Sequence, residues 1–483
     1  ELGFAHVSCS HEVCPEIGLT GRGDTTTADA YLTPLLAEYL RRLGESMPGS
    51  DLKMMQSSGG LTEAASFRGH NAVLSGPAAG VVAYARLGEW FGFDQLIGFD
   101  MGGTSTDVSR YDGTYDRVYE SVTAGVRIRA PMIQIHTIAA GGGSICKMTA
   151  GRLTVGPESA GSDPGPICYG LRGADGNPRA RELTVTDLNL FLGRVLPDNF
   201  PFELERGRVA ERLEEIRAGC AADGREISAA EVAEGFLEIA NLKMAQAVKE
   251  ISVARGRDVR EYALCSFGGA GGQHACAVAR HLGIRKILLH PLAGVLSAFG
   301  MGLADTVWEG SAPALGREMA AGEPAELEET FARLEREGRE AVAAQGFPAD
   351  EVRMRRKLDL RYRGTEQPIT VPRPEDGDYL RDFTAEYRQL YGYVRESRAV
   401  EAVQCRVEAS GLSDVPAPRR PGDPPEVYDP EPARFTPAVF GGREVSTPVY
   451  VRSELRPGAR LTGPAVVLEQ IGTVVIEPGF SAE

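Results

Sequence analysis

The chain is built around one stretch, Leu96-Ile-Gly-Phe-Asp100-Met-Gly102-Gly103-Thr104-Ser105-Thr106-Asp107-Val108. An apolar run ends on Asp100, turns through two glycines, and re-enters an alternating segment that runs to Asp112-Gly113, a hairpin signal. This pattern predicts a strand, a tight turn and a second strand. Glycines let backbone N–H groups approach an anion without a Cβ in the way, so the turn suits a phosphate.

The polar residues of this turn divide into two groups. The predicted nucleotide-binding residues are Gly102, Gly103, Thr104, Ser105 and Thr106, with the hydroxyl groups as additional donors. Asp100 and Asp107 would repel a bare phosphate, and their natural role is to hold a Mg²⁺ ion that a nucleotide brings. We therefore predict both aspartates as metal ligands and catalytic residues. A hairpin with a plain Gly-Gly turn is the alternative.

A second glycine loop follows the alternating segment Met132-Ile-Gln-Ile-His136. Gly141, Gly142 and Gly143 are consecutive, which is costly in chain entropy, so either a ligand or another backbone is expected to approach there. We expect these glycines and Ser144 to bind the substrate. His136 is a candidate acid or base at the end of the preceding strand, with a structural histidine as the alternative.

A third glycine loop lies between a predicted strand, 262–267, and a predicted helix, 273–282. Another strand is predicted over 285–290, which makes a βαβ unit with an open helix N-terminus, an arrangement suited to a nucleotide. The predicted nucleotide-binding residues are Gly268, Gly269, Ala270, Gly271 and Gly272. Glycine used for close packing alone is the alternative.

Composition excludes some classes of protein. A formal net charge of −15 leaves no basic stripe to neutralise phosphates, which argues against a nucleic-acid-binding protein. The longest uncharged run, 287–304, is broken by a proline and several glycines, so no membrane span is predicted. The eight cysteines include no Cys-x-x-Cys pair, which indicates reduced thiols and a cytoplasmic protein.

The chain divides by composition into four predicted parts. They are an α/β core over 1–310, a helical linker and α+β segment over 311–411, a linker over 412–432 with seven prolines, and a small β-rich module over 433–483. Within the core, 21–27 is predicted as a polar turn before a helix that begins at Ala28, and Ser228 and Glu231 predict a capping box. Residues 1–9 resemble a strand entered in mid-fold, so we expect a piece of a longer polypeptide.

Two nucleotide-type loops, one flanked by aspartates, fit the ATPase fold of sugar kinases, actin and the 70-kDa heat-shock proteins. Asp100-Met-Gly-Gly-Thr104 resembles the second of that fold's two phosphate loops, and Phe267-Gly-Gly-Ala-Gly-Gly272 resembles its adenosine loop. The resemblance implies a partial α/β fold of this type with a C-terminal β-rich region. The first phosphate loop is not found, which agrees with the expectation of a missing N-terminal stretch.

More closely, the sequence resembles the hydantoinase A/5-oxoprolinase family. Its motifs occur in order at 74–80, 98–107, 136–145 and 266–275, and the segment 21–34 is most similar to the ATP-dependent 5-oxoprolinases. The resemblance implies ATP and Mg²⁺ as cofactors, phosphorylation of a lactam oxygen, and opening of 5-oxoproline to glutamate. It also implies an oligomer and a hydantoinase B-type subunit or fused domain that completes the hydrolysis.

Two further hypotheses remain open. Relatives within the family include N-methylhydantoinase and the ATP-binding subunits of acetone and acetophenone carboxylases, so a hydantoin or a ketone is an alternative substrate. A nucleotide-binding module without chemistry, as in actin-type polymers, is the alternative from another class of protein.

Overall fold

The computed structural model of the chain describes residues 3–4, 6–322, 324–418 and 425–483. The chain divides into two compact units, each assembled from three segments. Unit 1 comprises Glu1–Ala83, Tyr115–Gln134 and Gly300–Pro416, and unit 2 comprises Tyr84–Thr114, Ile135–Phe299 and Ala417–Glu483. The chain also contains the helices Ser75–Phe91 and Leu296–Leu303.

Unit 1 contains a six-stranded sheet. In spatial order its strands are Lys53–Met55, Leu61–Glu63, Thr306–Glu318, Val400–Gly411, Arg353–Tyr362 and Ile369–Pro372. All neighbours are antiparallel except Leu61–Glu63 and Thr306–Glu318. The described residues of this unit also form two short strand pairs, Arg117–Val118 with Met132–Ile133 and Ser121–Thr123 with Val126–Ile128. They further include the α-helices Ser10–Val13, Leu19–Ser46, Glu328–Ala343 and Tyr379–Tyr391.

The two faces of the six-stranded sheet differ in chemistry. Alternate residues such as Leu358 and Val407 pack with Phe331 and Phe383 of the helices on one face. Residues of the opposite parity are charged and buried, and there Arg406 pairs with Asp359 while Glu408 pairs with Lys357 and Arg117. Ion pairing accounts for the burial of these charges, because an unpaired charge would be costly there.

The helix of residues 19–46 begins earlier than predicted. The segment 21–27 is its first turns, not a polar turn before it. Thr25, Thr26 and Thr27 donate their hydroxyl groups to the carbonyls four residues earlier, so their side chains do not end the helix. The predicted N-terminal strand is also wrong over the described part of residues 1–9, where residues 3–4 and 6–9 form none.

Unit 2 contains a five-stranded sheet that carries the first and third glycine loops. Its strands in spatial order are Ile287–Leu288, Ala263–Phe267, Gln95–Met101, Thr106–Asp112 and Ile135–Ile138. The first three are parallel, and the remaining pairs are antiparallel. Helices Ala229–Ile251 and Gly271–Leu282 share an apolar core with this sheet. The predicted strand-turn-strand and βαβ unit are therefore both confirmed, as is the Ser228–Glu231 capping box.

The remaining elements of unit 2 are small sheets and helices. Arg152–Ser159, Ser144–Thr149 and Leu183–Thr184 form a three-stranded sheet, and the other two helices are Val185–Phe191 and Arg206–Ala222. The C-terminal residues form a four-stranded sheet and a strand pair: Arg434–Phe440, Arg443–Val451, Ala465–Glu469 and Gly472–Ile476, and Leu461–Thr462 with Ser481–Ala482. Of the proline-rich linker, 412–418 and 425–432 contain no helix or strand, and 419–424 lie outside the described residues.

The hairpin predicted at Asp112-Gly113 is wrong. Gly113 has a positive φ of 73°, as a turn requires, but the next strand, Arg117–Val118, pairs with Met132–Ile133. The strand Thr106–Asp112 pairs along its whole length with Gln95–Met101, and its first four residues also pair with Ile135–Ile138. The chain after Gly113 leaves this sheet instead of folding back on the strand. As for membranes, none of the helices in the described residues is long and apolar enough to cross a bilayer.

Candidate functional site

The first glycine loop, residues 100–107, joins two antiparallel strands and opens on one side. Gly102 N donates to Ser105 O at 3.1 Å and closes the turn. Gly103 and Thr104 are exposed, and a Cβ built on Gly103 would have no described atom within 4 Å. Ser105 is half-buried. A ligand can therefore reach the backbone at Gly103 and the hydroxyl group of Thr104.

Thr106 does not contribute its hydroxyl group to this open side, contrary to expectation. The side chain is buried, and its Oγ1 donates to the carbonyl of Ala140 at 2.5 Å. The reason is strand alternation, because the residue after the turn faces into the core while its neighbours face outward. Thr106 fixes the second glycine loop beneath the first.

Asp100 and Asp107 lie directly opposite each other on the paired strands and therefore share one face of the sheet. Burial and the charge of Asp107 raise the pKa of Asp100 to about 6. Burial also raises the pKa of Asp107, although the Thr137 hydroxyl donates to its Oδ1 at 2.5 Å and opposes the rise. Among the described residues, the Asp100 carboxylate receives no hydrogen bond and forms no ion pair. A bound cation would relieve this repulsion.

The donor set fits a Mg²⁺ ion that arrives with phosphates. Within the described ranges, no cluster of three or more histidine, cysteine or acidic residues could hold a metal on its own. Mg²⁺ is typically bound through one or two carboxylates, with water and substrate phosphates completing its octahedron. Asp100 and Asp107 match that requirement, and the exposed Gly103–Thr104 turn lies beside them.

His136 is not brought to the aspartate pair. Its register partner is Val108, whereas the next residue, Thr137, is the partner of Asp107. Successive side chains of a strand point to opposite faces, so His136 lies on the other face of the sheet from the carboxylates. There its Nε2 is 3.2 Å from Oε2 of Glu250. His136 was predicted as a catalytic residue together with Asp100 and Asp107, but the structure places it on the opposite face of the sheet from them.

The second glycine loop supports the first loop by backbone contact. Gly142 N and Gly143 N donate to the carbonyls of Gly102 and Gly103, at 3.0 and 2.6 Å. A Cβ on Gly141 would lie 2.8 Å from the Gly103 carbonyl. Of the two explanations offered for the three glycines, the second backbone is the one observed.

The remaining donors of this loop are also committed. Gly141 N donates to the buried Ser144 Oγ at 2.8 Å, and Ser144 N donates to the Gly141 carbonyl at 3.0 Å. All four N–H groups of 141–144 are therefore used within the protein. The expectation that Gly141, Gly142, Gly143 and Ser144 bind substrate through these groups does not agree with this geometry.

The third glycine loop meets the first at the carboxyl ends of two parallel strands. Gly268 has a positive φ of 79°, and a Cβ there would lie 2.5 Å from Asp100 Oδ1. Ala270 N donates to the Met101 carbonyl at 3.0 Å. Parallel pairing of Ala263–Phe267 with Gln95–Met101 brings the two loops to one sheet edge, the usual ligand position in such sheets.

The glycines of the third loop differ in their exposure and in how closely other atoms pack against them. Gly269 is exposed, and a Cβ there would have Ile471 O at 3.9 Å as its nearest neighbour. Gly271 and Gly272 are buried, and a Cβ on them would lie 2.8 Å from Ser266 Oγ and from Thr473 O, respectively. Close packing thus accounts for the last two glycines, and Gly269 marks the open part of the loop.

Several residues that shape the site were missed by sequence reasoning. They are Thr137, Ser266 and Ile471. Thr137 follows His136 in the same strand, and successive side chains of a strand point to opposite faces. This alternation was the sequence signal that placed Thr137 on the face opposite to His136. No local signal connects Ile471 with a loop some two hundred positions earlier.

Comparison with known proteins identifies the family. Residues 22–310 match the model described as hydantoinase/oxoprolinase, and residues 316–483 match the hydantoinase/oxoprolinase C-terminal domain. The chain belongs to the hydantoinase/oxoprolinase family. Among family members, the 5-oxoprolinase 1 of Arabidopsis thaliana is 39% identical over 512 residues, covering 100% of this chain and 39% of that protein. The chain thus spans about two fifths of the length of the curated 5-oxoprolinases that it matches.

Other relatives of this hydantoinase/oxoprolinase chain are covered more completely. The caprolactamase subunit alpha of Pseudomonas jessenii is 31% identical, with 98% of this chain and 70% of that protein aligned. The crystal structure of the ATP-dependent caprolactamase from Pseudomonas jessenii superposes with a TM-score of 0.86 at 29% identity, over 98% of this chain and 70% of that one. A nucleotide-free acetone carboxylase superposes with a TM-score of 0.74 at 23% identity, over 98% and 69%, and shows the shared fold.

Proposed function

We propose that this chain is the ATP-binding part of an enzyme that opens a cyclic amide, with 5-oxoproline converted to glutamate as the reaction. The observation that carries the proposal is the Asp100–Asp107 pair beside the open turn at Gly103–Thr104, in which the Asp100 carboxylate receives no hydrogen bond from the described residues. The names of the relatives support the substrate class, because both 5-oxoproline and caprolactam are lactams.

Each part of the site has a distinct task in this proposal. Asp100 and Asp107 hold Mg²⁺, which when bound neutralises phosphate charge during phosphoryl transfer. Gly103 N–H and the Thr104 hydroxyl donate to the phosphates. The third loop receives the adenosine at Gly269, where the backbone is exposed. The Gly268 backbone, close against Asp100, keeps the carboxylate in position.

The chemistry explains why a lactamase of this kind uses ATP. An amide carbonyl is a poor electrophile with a poor leaving group. When the lactam oxygen displaces ADP from the γ-phosphorus, the ring carbon gains a phosphate leaving group. Water then adds to that carbon, and the ring C–N bond breaks as the nitrogen takes up a proton, which leaves an acyl phosphate. A second water hydrolyses the acyl phosphate to the carboxylate and releases phosphate. The residues of this chain act in the first of these steps.

We further propose that unit 2 is half of an actin-type ATPase fold. The antiparallel hairpin that carries the first loop, beside a parallel strand that carries the third, supports this. A hydantoinase B-type subunit or fused domain would complete the hydrolysis. The name of the caprolactamase relative, a subunit alpha, supports a partner for this chain.

The test is substrate-dependent ATP turnover by the intact protein with its hydantoinase B-type partner. Phosphate release should depend on a lactam, with 5-oxoproline preferred over caprolactam, hydantoins and acetone. A preference for acetone with bicarbonate would replace the proposal with a carboxylase. Nucleotide binding without turnover on any substrate would favour a non-catalytic module.

A further inference from the structure

A hairpin of the C-terminal sheet reaches the third glycine loop. Strands Ala465–Glu469 and Gly472–Ile476 are joined by a two-residue tip that includes Ile471. The tip lies against two separate glycines of the loop region. A Cβ on Gly294 would lie 2.7 Å from the Ile471 side chain, and a Cβ on Gly472 would lie 3.8 Å from Gly269 O. The hairpin therefore borders the exposed part of the loop.

Several contacts hold this hairpin in place. A Cβ on Gly272 would lie 2.8 Å from the Thr473 carbonyl, so the strand after the tip lies directly on the helix Gly271–Leu282. Farther along that helix, Arg280 pairs with Glu477 at 2.6 Å. Thr473 and Glu477, near the two ends of this strand, therefore both contact the helix Gly271–Leu282. These contacts fix the tip relative to the third loop.

Ile471 is apolar yet 51% exposed. Its backbone carbonyl would lie 3.9 Å from a Cβ on the exposed Gly269, and its side chain lies against Gly294. Two other apolar residues, Leu292 and Val295, are exposed on the turn that contains Gly294, the glycine contacted by Ile471. Exposed apolar groups grouped at the mouth of a glycine loop provide a surface for a flat apolar ligand. The aromatic face of a purine base has this character.

We propose that Ile471 forms one wall of the base pocket and packs against the purine ring of the nucleotide. This inference rests on the proposed function, since it names the residue that contacts the base of the bound ATP. It also assigns a binding function to the C-terminal module, which otherwise resembles an accessory sheet. The apolar contact adds affinity for the nucleoside without contacting the phosphates.

The test compares two ligands in the intact protein, both with Mg²⁺. ATP carries the base, and inorganic tripolyphosphate carries only the phosphates. Ile471→Ala should weaken ATP binding about tenfold, as expected for removal of roughly two buried methylene-sized groups, and leave tripolyphosphate affinity unchanged. Ile471→Leu should retain most ATP affinity. Phe435→Ala is the matched control, because Phe435 is an exposed apolar residue of the same sheet.

The outcomes separate this inference from the proposed function. If the unaltered protein binds neither ligand, the nucleotide site itself is wrong and this inference fails with it. If the unaltered protein binds ATP and Ile471→Ala changes nothing, the base wall is wrong while the nucleotide site stands. Equal weakening of both ligands would also overturn the inference, because it would mean that the hairpin shapes the phosphate loop.

Discussion

Replacing Asp100 by asparagine should stabilise the protein that contains no nucleotide while abolishing its Mg²⁺-dependent function. The substitution keeps the shape of the side chain and removes its charge. Burial and Asp107 raise the pKa of Asp100 from 3.8 to about 6 in the folded protein. By linkage, that rise corresponds to a cost of about 3 kcal/mol for the ionised carboxylate.

The sign of the pH dependence follows from the raised pKa. Below about pH 4 the carboxyl group is protonated in both folded and unfolded states, so the substitution should change little. Between pH 4 and 6 the unfolded chain loses its proton first, and the folded protein loses stability progressively. Above pH 6 the full cost is present. Asp100→Asn should therefore raise the free energy of unfolding by up to about 3 kcal/mol at pH 8, and by less at pH 5.

The assay is unfolding at pH 5 and pH 8, with and without Mg²⁺ and ATP. Asp94→Asn is a matched control, because Asp94 is exposed at the start of the same strand region and should show no such gain. Mg²⁺ with ATP should stabilise the unaltered protein and not the Asp100 variant. An Asp100→Asn protein that is less stable at pH 8, or that gains equally at both pH values, would refute the electrostatic reasoning.

Three other predictions test separate parts of the structure. Gly269→Val should raise the ATP KM tenfold or more, about 1.4 kcal/mol, with little change in melting temperature. Gly271→Val should instead lower the melting temperature, because a Cβ there meets Ser266 Oγ at 2.8 Å. The same response from both variants would contradict this division. Burial alone would raise the pKa of Asp29, but hydrogen bonds from His70 and Ser8 outweigh it and lower the pKa. Asp29→Asn should therefore destabilise the protein at neutral pH, and since this stability is lost as the pH falls below the ordinary aspartate range, unfolding curves of variant and parent should converge in acid. His136→Gln should change kcat by only a few fold, because the imidazole faces Glu250 on the other side of the sheet; a hundredfold loss of kcat in a folded variant would return His136 to the catalytic group.

Local pattern was sufficient to predict the parts of the site that depend on backbone conformation. The turn at Gly102–Gly103 and the βαβ unit around Gly268 follow from short-range signals, namely apolar runs that end in glycines and a helix that begins directly after them. The aspartate pair was predictable for the same reason, since a tight turn between two strands places its flanking residues opposite each other. These features involve residues close together in the chain.

The tertiary structure decided which groups remain available to a ligand. Thr106 and the 141–144 loop have the residue types of a binding site, but their donors are used by neighbouring backbone that the sequence does not identify. Ile471 shows the reverse case, an unremarkable apolar residue that long-range packing brings beside Gly269. The physical reason is that a glycine or a hydroxyl group has the same local preferences whether a ligand or another segment of the chain approaches it. Only the packing of distant segments determines whether that group is covered by protein or left open to a ligand.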